Sequence, residues 1–336
     1  MRIVIFEVED WERDAFESIG ESGHDVRLVA EPLGPENVSD HADAEVVSTF
    51  IYSDLSEKVL SKLTELTLIA TRSTGYDHIA LEYCDEHDVS VANVPEYGCH
   101  AVAEHVFALL LTISHRVADA IDRTRKGDFS MKGLMGFDLR GKTLGVVGTG
   151  SIGRCVIGIA GGFSMKVLAY DVKPDEEYAR EAGFDYVDLP ELLERSDVVT
   201  LHVPARKETR HMISRDEFDA MKDGAVLINT SRGSVLDTSE LLRALTEGKV
   251  KAAGLDVLAE EPTIREEAEL LRSIYRKEHD LETLFADHML MHLRNVFVTP
   301  HTAFNTKEAV ETIMRTTIEN IRAFADGEPR NLVNEA

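Results

Sequence analysis

The residues of this 336-residue chain whose spacing most clearly points to chemistry lie between Thr143 and Asp171. The segment Thr143-Leu-Gly-Val-Val-Gly148-Thr-Gly150-Ser151-Ile152-Gly153-Arg154 sets a GxGxxG run after an apolar stretch and before a helix-like one, Ile152 to Phe163. In that setting Gly148 makes a tight turn, Gly150 lets the backbone approach a pyrophosphate, and Gly153 lets helix and strand pack closely. The free N–H groups at the helix start, Ser151 and Ile152 among them, and the positive end of the helix favour phosphate. Asp171 ends the next apolar run, Lys166 to Tyr170, where a carboxylate can bond two ribose hydroxyls and repel a 2′-phosphate. NAD is therefore expected rather than NADP. The competing reading is a glycine turn followed by a surface aspartate.

A second set could handle an organic acid. Arg232 follows the apolar run Ala225 to Asn229 and offers a planar fork for a carboxylate, although a surface salt bridge is the plain alternative among 61 acidic residues. His301 follows Thr299-Pro300, and its imidazole can give or take a proton near neutral pH. Glu260 and Glu261 are adjacent, and either could bond the second ring nitrogen, fixing the tautomer and raising the histidine pKa. Charge alone does not choose between them. Ser73-Thr74-Gly75 follows an apolar run, so its N–H groups can meet an anion, and the Tyr97 hydroxyl suits the same anion. The bland alternatives are a turn at Gly75 and packing at Tyr97.

The remaining candidates read as structural. His105, in Ala-Glu-His on a helix-like stretch, suggests packing or an interdomain bond. His288 and His292 have a zinc-compatible helical spacing but lack a patterned third ligand, so no metal is expected. Cys84, Cys99 and Cys155 form no Cys-x-x-Cys pair, and buried free thiols are expected rather than a disulfide or a thiolate zinc site.

These residues need elements to hold them, and the pattern along the chain is short strands alternating with helices in two blocks. The first has apolar or β-branched runs at Arg2–Val8, Val26–Val29, Glu45–Thr49, Leu66–Thr71 and Val89–Ala92, with helices at about Asp10–Glu21 and Ser56–Lys62. One long helix, Ala101 to Arg123, leads to a second block with runs at Thr143–Gly148, Lys166–Tyr170, Val198–Val203, Ala225–Asn229, Ala252–Val257 and Val296–Thr299. The charged stretch from Pro262 to Arg294 reads as a helical insertion with Ile264, Ala268, Leu271 and Tyr275 on one face. From Thr302 a last helix carries Val310, Ile313, Thr317 and Ile321 on one side. The fold class expected is α/β, with two doubly wound parallel sheets.

Composition excludes several functions. Apolar residues at 43% and charged residues at 29% describe a globular chain of about two domains, without an apolar run long enough for a membrane helix or a signal-peptide start. A cytoplasmic location is expected. A net charge of -25 repels nucleic acid and implies a solvated, self-repelling surface, as a high-salt habitat would favour.

Several separated segments resemble the D-isomer-specific 2-hydroxyacid dehydrogenase family. They are Thr71-Arg-Ser-Thr-Gly75-Tyr-Asp-His-Ile79, Val94-Pro-Glu-Tyr97 with Ala103-Glu-His105, the glycine fingerprint, Leu201-His-Val-Pro204, Asn229-Thr-Ser-Arg-Gly233, Gly254-Leu-Asp-Val257 with Glu260-Glu-Pro262, and Thr299-Pro-His-Thr-Ala-Phe304. Their order and spacing match over roughly residues 1 to 333. Thr-Pro-His-Thr-Ala-Phe and the insertion before it are most similar to the D-lactate dehydrogenase branch.

The resemblance implies a Rossmann NAD-binding domain, 100–300, inserted in a flavodoxin-like substrate domain formed by 1–99 and 301–336. It implies interconversion of a small 2-oxo acid and its D-2-hydroxy acid, with pyruvate and D-lactate as the first pair. Arg232 would hold the carboxylate and polarise the ketone, His301 would be the acid and base, and Glu261 its partner, since the family's glutamate lies five residues after the aspartate that matches Asp256. Thr74, Gly75 and Tyr97 would bind the substrate anion opposite Arg232, in a cleft whose closure excludes water. Asp256 would lie beside the nicotinamide amide, with His202, Pro204 and Thr230 lining the cofactor crevice. A homodimer is implied, with the helix from Ala101 a candidate for packing across the two-fold axis. Within the family, glyoxylate or hydroxypyruvate reduction stays open. Phosphoglycerate oxidation would need an extra cation, for which Arg72 is the obvious candidate. Formate-type relatives replace the glutamate with glutamine, which Glu261 opposes. A non-enzymatic NAD(H) sensor is the alternative from another class; the absence of basic or low-complexity tails favours an enzyme.

Overall fold

A computed structural model describes residues 1–20, 23–259 and 281–334, which divide into two compact units, Met1–Tyr97 with Asn305–Ala336, and Gly98–Phe304. The first unit begins with β1 (Arg2–Ile5), a 3-10 turn at Asp10–Glu12, α1 (Arg13–Glu17), β2 (Asp25–Leu28) and β3 (Val46–Thr49). It continues with α2 (Glu57–Leu60), β4 (Leu68–Thr71), α3 (Leu81–Glu86) and β5 (Ser90–Ala92). All pairings are parallel, in the order β2-β1-β3-β4-β5, the flavodoxin-like order. Every residue of β3, β4 and β5 is buried, as a parallel sheet covered on both faces requires. Alternate side chains serve two cores: Val4, Val47 and Ile69 join Leu55, Val59 and Leu60, while Ile3, Ile5, Val46 and Leu68 join Phe16 and Ile19.

The second unit opens with α4 (Cys99–Ser114) and α5 (Val117–Arg125). The single helix expected from Ala101 to Arg123 is broken at Arg116, whose φ of 54° is left-handed, and the two segments are bent by 63°. The break divides the chemistry of the segment. Val106, Leu109, Leu110 and Ile113 of α4 are buried in the core of this unit and Val102 is buried beside them in sequence, whereas α5 buries none of its residues.

The rest of the second unit alternates β6 (Thr143–Val147), α6 (Ser151–Gly162), β7 (Lys166–Tyr170), α7 (Glu176–Ala182), β8 (Asp185–Tyr186), α8 (Leu189–Arg195) and β9 (Val198–Leu201). It then runs through α9 (Arg215–Ala220), β10 (Ala225–Asn229), α10 (Thr238–Glu247), β11 (Val250–Leu255), α11 (Leu281–His292) and β12 (Val296–Val298). The sheet is parallel in the order β12-β11-β10-β9-β6-β7-β8. Strand order reverses between β6 and β9, the switch point at which doubly wound sheets bind ligands beyond their carboxyl ends. β8, which the sequence does not signal, adds a seventh strand to the six expected.

The expected apolar face at Ile264, Ala268, Leu271 and Tyr275 lies outside the described residues. The last helix, α12 (Lys307–Ala325), starts later than Thr302 because the Thr306 hydroxyl caps it, accepting from the Ala309 N–H at 3.3 Å. It belongs to the first unit, with Ile321 in the core beside β4. Among the described residues no single helix is long and apolar enough to cross a membrane.

Candidate active site

At the switch point β6 delivers Gly148, whose φ is 95° and where a Cβ would meet the His202 carbonyl oxygen at 2.6 Å. Only glycine combines that dihedral with that contact. A Cβ at Gly153 would overlap the Gly148 carbonyl oxygen, so this glycine lets α6 press against the end of β6. Gly150, the α6 N-cap, is different: a Cβ there would meet nothing within 4 Å, and no side chain caps the helix. Open space thus lies where the N–H groups of Ser151, Ile152 and Gly153 lack intrahelical partners, an arrangement that fits a pyrophosphate.

Asp171, at the end of β7, accepts from the Thr149 N–H at 2.7 Å, the Thr149 hydroxyl at 2.9 Å and the Lys173 N–H at 2.9 Å. Burial works against its charge, but the N–H groups of Thr149 and Lys173 and the Thr149 hydroxyl prevail and hold the carboxyl below the usual range. A fixed carboxylate is thereby kept ionised beside the glycine turn. Thr149 and its contact with the Tyr186 hydroxyl, 2.8 Å, are parts of this cradle that sequence reasoning missed.

His202 follows β9, with its ring 2.9 Å from the Thr200 hydroxyl and Nδ1 buried without a hydrogen-bond partner. Burial pushes its pKa down to about 3, so the ring is neutral at physiological pH. The Thr230 hydroxyl is likewise buried without a partner, at the end of β10. These two orphan polar atoms fit a cofactor lining. Pro204 is exposed, and its carbonyl accepts from Thr209 at 2.6 Å.

The loop after β10 is built around Asn229. Its side-chain oxygen accepts from the Ser231 N–H and hydroxyl, at 3.0 and 2.7 Å, and its amide donates to the Arg232 carbonyl at 3.0 Å. Arg232 Nη1 donates to the Ser231 carbonyl at 2.9 Å. A Cβ at Gly233 would overlap the backbone of Leu258, so the Arg232 loop lies against the chain that leaves β11 toward residue 260. Glu261 lies outside the described residues.

Asp256, at the end of β11, is fully buried and fastens the segment that carries His301. It accepts from the Thr299 hydroxyl at 2.6 Å and from the N–H groups of Thr302 and Ala303, each at 2.9 Å. The His301 N–H donates to the Asp256 carbonyl at 2.9 Å. His301 itself has a φ of 54°, a left-handed conformation that costs a non-glycine residue about 1–2 kcal/mol. The carboxylate and backbone of Asp256 hold that turn. His105 completes the cluster, with Nε2 3.0 Å from the Thr299 hydroxyl and 3.5 Å from Asp256. Its partners lie in its own unit, so it serves the His301 segment rather than an interdomain bond.

In the first unit, the loop after β4 is stitched by its own side chains. The Ser73 hydroxyl donates to the Gly75 carbonyl at 2.6 Å, the Thr74 hydroxyl to the Val94 carbonyl at 2.8 Å, and the Asn93 amide to the Thr74 carbonyl at 2.8 Å. Tyr97 ends this part of the unit and is half-buried. Arg72 is buried: its Nη2 donates to the carbonyls of Phe6 and Glu7 at 2.7 Å, and its Nη1 lies 3.9 Å from Glu12. A guanidinium so committed to structure is a poor candidate for a substrate phosphate.

Buried thiols are found only at Cys84; Cys99 and Cys155 are half-buried and lie with His100 in one group. Burial, with Cys99 alongside, pushes the Cys155 thiol up to about 11. His288 and His292 face each other at 4.6 Å between ring centroids.

Residues 107–303 match the model of the D-isomer specific 2-hydroxyacid dehydrogenase NAD binding domain. The chain is 33% identical to the D-lactate dehydrogenase of Escherichia coli, covering 99% of this chain and 100% of that protein. It is 36% identical to the glyoxylate reductase of Thermococcus litoralis, covering 94% and 92%. Among solved structures it resembles the D-lactate dehydrogenase from Aquifex aeolicus complexed with NAD and lactic acid, with TM-score 0.88 and 36% identity over 99% of both chains.

Proposed function

The chain belongs to the D-isomer specific 2-hydroxyacid dehydrogenase family, and on that premise we propose that it interconverts pyruvate and D-lactate with NAD. The observation that carries the reading is the turn at His301, a strained histidine fastened by a buried carboxylate at the carboxyl end of a Rossmann sheet. Such strain is retained where the side chain must be aimed.

Bound NAD supplies or accepts the hydride. Its pyrophosphate would meet the open helix start at Gly150, Ser151, Ile152 and Gly153, its ribose Asp171, and its nicotinamide amide the end of β11 at Asp256, with His202, Pro204 and Thr230 lining the crevice. The chain's own residues do the rest. Arg232 holds the substrate carboxylate through two hydrogen bonds and polarises the adjacent ketone. His301 gives its proton to the ketone oxygen in reduction and takes it back from the hydroxyl in oxidation. Glu261 holds the other ring nitrogen, favouring imidazolium and so reduction near neutral pH. Thr74, Gly75 and Tyr97 are the further substrate contacts we propose in the first unit.

Pyruvate is preferred because a D-lactate dehydrogenase aligns over the whole chain and because Arg72 is unavailable to a phosphorylated substrate. The glyoxylate reductase likeness makes glyoxylate the second candidate. We also propose a homodimer, supported by exposed apolar side chains grouped in sequence after α4: Val117, Ile121, Phe129, Met131 and Met135. Light scattering of the purified chain reads that mass directly. The activity is tested by NADH oxidation with pyruvate, glyoxylate, hydroxypyruvate and longer 2-oxo acids, each at low and high salt. Highest kcat/KM on pyruvate supports the assignment, and highest on glyoxylate replaces it. NADH binding with no turnover on any acid makes the chain a sensor.

A further inference from the structure

The packing of α4 on α6 brings together three soft or borderline donors from outside the site described above. Cys99 is the first residue of α4, His100 is the next, and Cys155 lies in the second turn of α6. One donor atom from each lies within 4.8 Å of the others. The hydride chemistry uses none of them: both cysteines are half-buried, Cys155 at the edge of the core of this unit, and His100 is exposed.

We propose that Cys99, His100 and Cys155 form a binding site for a soft divalent cation of the zinc class. Two sulfurs and one imidazole nitrogen are a recognised ligand set for that ion, with Zn–S near ~2.3 Å and Zn–N near ~2.0 Å. A tetrahedral ion with those bonds sets its ligand atoms about 3.5–3.8 Å apart, so side-chain rotations that move the donor atoms by about 1 Å close the observed spacing. The fourth position goes to water. On binding, each thiol gives its proton to solvent and the ion gains two thiolate bonds and one imidazole bond, with no change of oxidation state. Thiol pairing into a disulfide would leave His100 without a part in the cluster, whereas an ion uses all three donors. The ion would tie the start of α4 to the helix whose N-terminus faces the proposed cofactor phosphates, so its binding shows as added thermal stability.

The test uses the full chain, reduced and freed of metal with a chelator, then titrated with Co2+ and separately with Zn2+. One equivalent of Co2+ should give intense sulfur-to-cobalt absorption, and Zn2+ should displace it and raise Tm. Cys99→Ser and Cys155→Ser should each remove about half of that absorption and weaken binding at least tenfold. His100→Ala, at an exposed position, should weaken binding while leaving the metal-free Tm unchanged. Cys84→Ser should leave the cobalt spectrum as it was. Cobalt absorption that persists in both cysteine variants, or its absence at millimolar Co2+, overturns the proposal. So does a Cys99–Cys155 disulfide formed with peroxide in a protein that takes up no metal; that result makes the pair a redox couple.

Discussion

Replacing Asp256 with asparagine changes one atom and separates two roles, fastening the His301 turn and touching the cofactor. One carboxylate oxygen takes the Thr299 hydroxyl and the Thr302 N–H, and the other takes the Ala303 N–H. An asparagine oriented to keep the first two bonds sets its NH2 against the buried Ala303 N–H, donor facing donor. A hydrogen bond to a charged acceptor contributes about 1.5–3 kcal/mol, and a buried donor left unmet costs about 1–3 kcal/mol. The two surviving bonds lose their charge assistance as well. Asp256→Asn should therefore cost about 2–4 kcal/mol in the unfolding of the second unit, read by urea titration with circular dichroism. The same loss removes what holds the left-handed His301, and a displacement of about 1 Å at a reacting group can cost about 100-fold in kcat. Stability and kcat should fall together, and kcat by a larger factor than NADH affinity, read by nicotinamide fluorescence. Unchanged stability and kcat with weakened NADH binding would show that Asp256 acts on the cofactor and would refute the fastening role.

Asp171→Ser should weaken NADH binding and raise the relative use of NADPH about tenfold or more, since the repulsion of a 2′-phosphate goes with the carboxylate; an unchanged NADH/NADPH ratio contradicts this. His202 contributes to pH dependence with a definite sign. Its folded pKa is lowered to about 3 from 6.5, so the unfolded chain binds the extra proton, and the stability present above pH 6.5 is lost as pH falls from there toward 3. Between pH 6 and 5 the wild-type chain should lose up to about 1.4 kcal/mol more than His202→Asn, and parallel pH curves for the two would dismiss the effect. Arg232→Ala should lower kcat and raise KM together, whereas Glu261→Gln should mainly shift the pH profile of kcat/KM; the reverse pattern overturns the role assignments.

Much of the frame was legible because its signals are local. β7 and β10 have the bounds that their apolar runs suggest, and the glycine run after β6 marks the turn because Gly148 and Gly153 are each demanded by a close backbone contact. β8 was not legible: two residues, Asp185 and Tyr186, are too few to show a period. The break at Arg116 was missed because left-handed backbone there is adopted by an arginine, without glycine or proline to announce it.

The site divides in the same way. Residue types and spacing singled out Arg232 and His301, but the fastening of the His301 turn is made with backbone N–H groups of Thr302 and Ala303, which leave no residue signature. Arg72 looks in sequence like a spare cation, and only burial against the Phe6 and Glu7 carbonyls shows where its charge is spent. The cluster of Cys99, His100 and Cys155 is assembled across two packed helices, so its ligand spacing is tertiary. The net charge of -25 is a further case of bulk and site diverging, for in the proposed function an anionic cofactor and substrate would be held by the helix start at Gly150 and by Arg232.

The most direct test of the central claim is the stereochemistry and kinetics of one reaction. NADH and pyruvate are incubated with the purified chain, NADH loss is followed, and the lactate formed is assigned by enantiomer-resolving chromatography, in parallel with His301→Ala. D-lactate is expected in one-to-one ratio with NADH consumed, with loss of most of kcat in the variant. Formation of L-lactate, or turnover by His301→Ala equal to that of the wild-type chain, would contradict that claim.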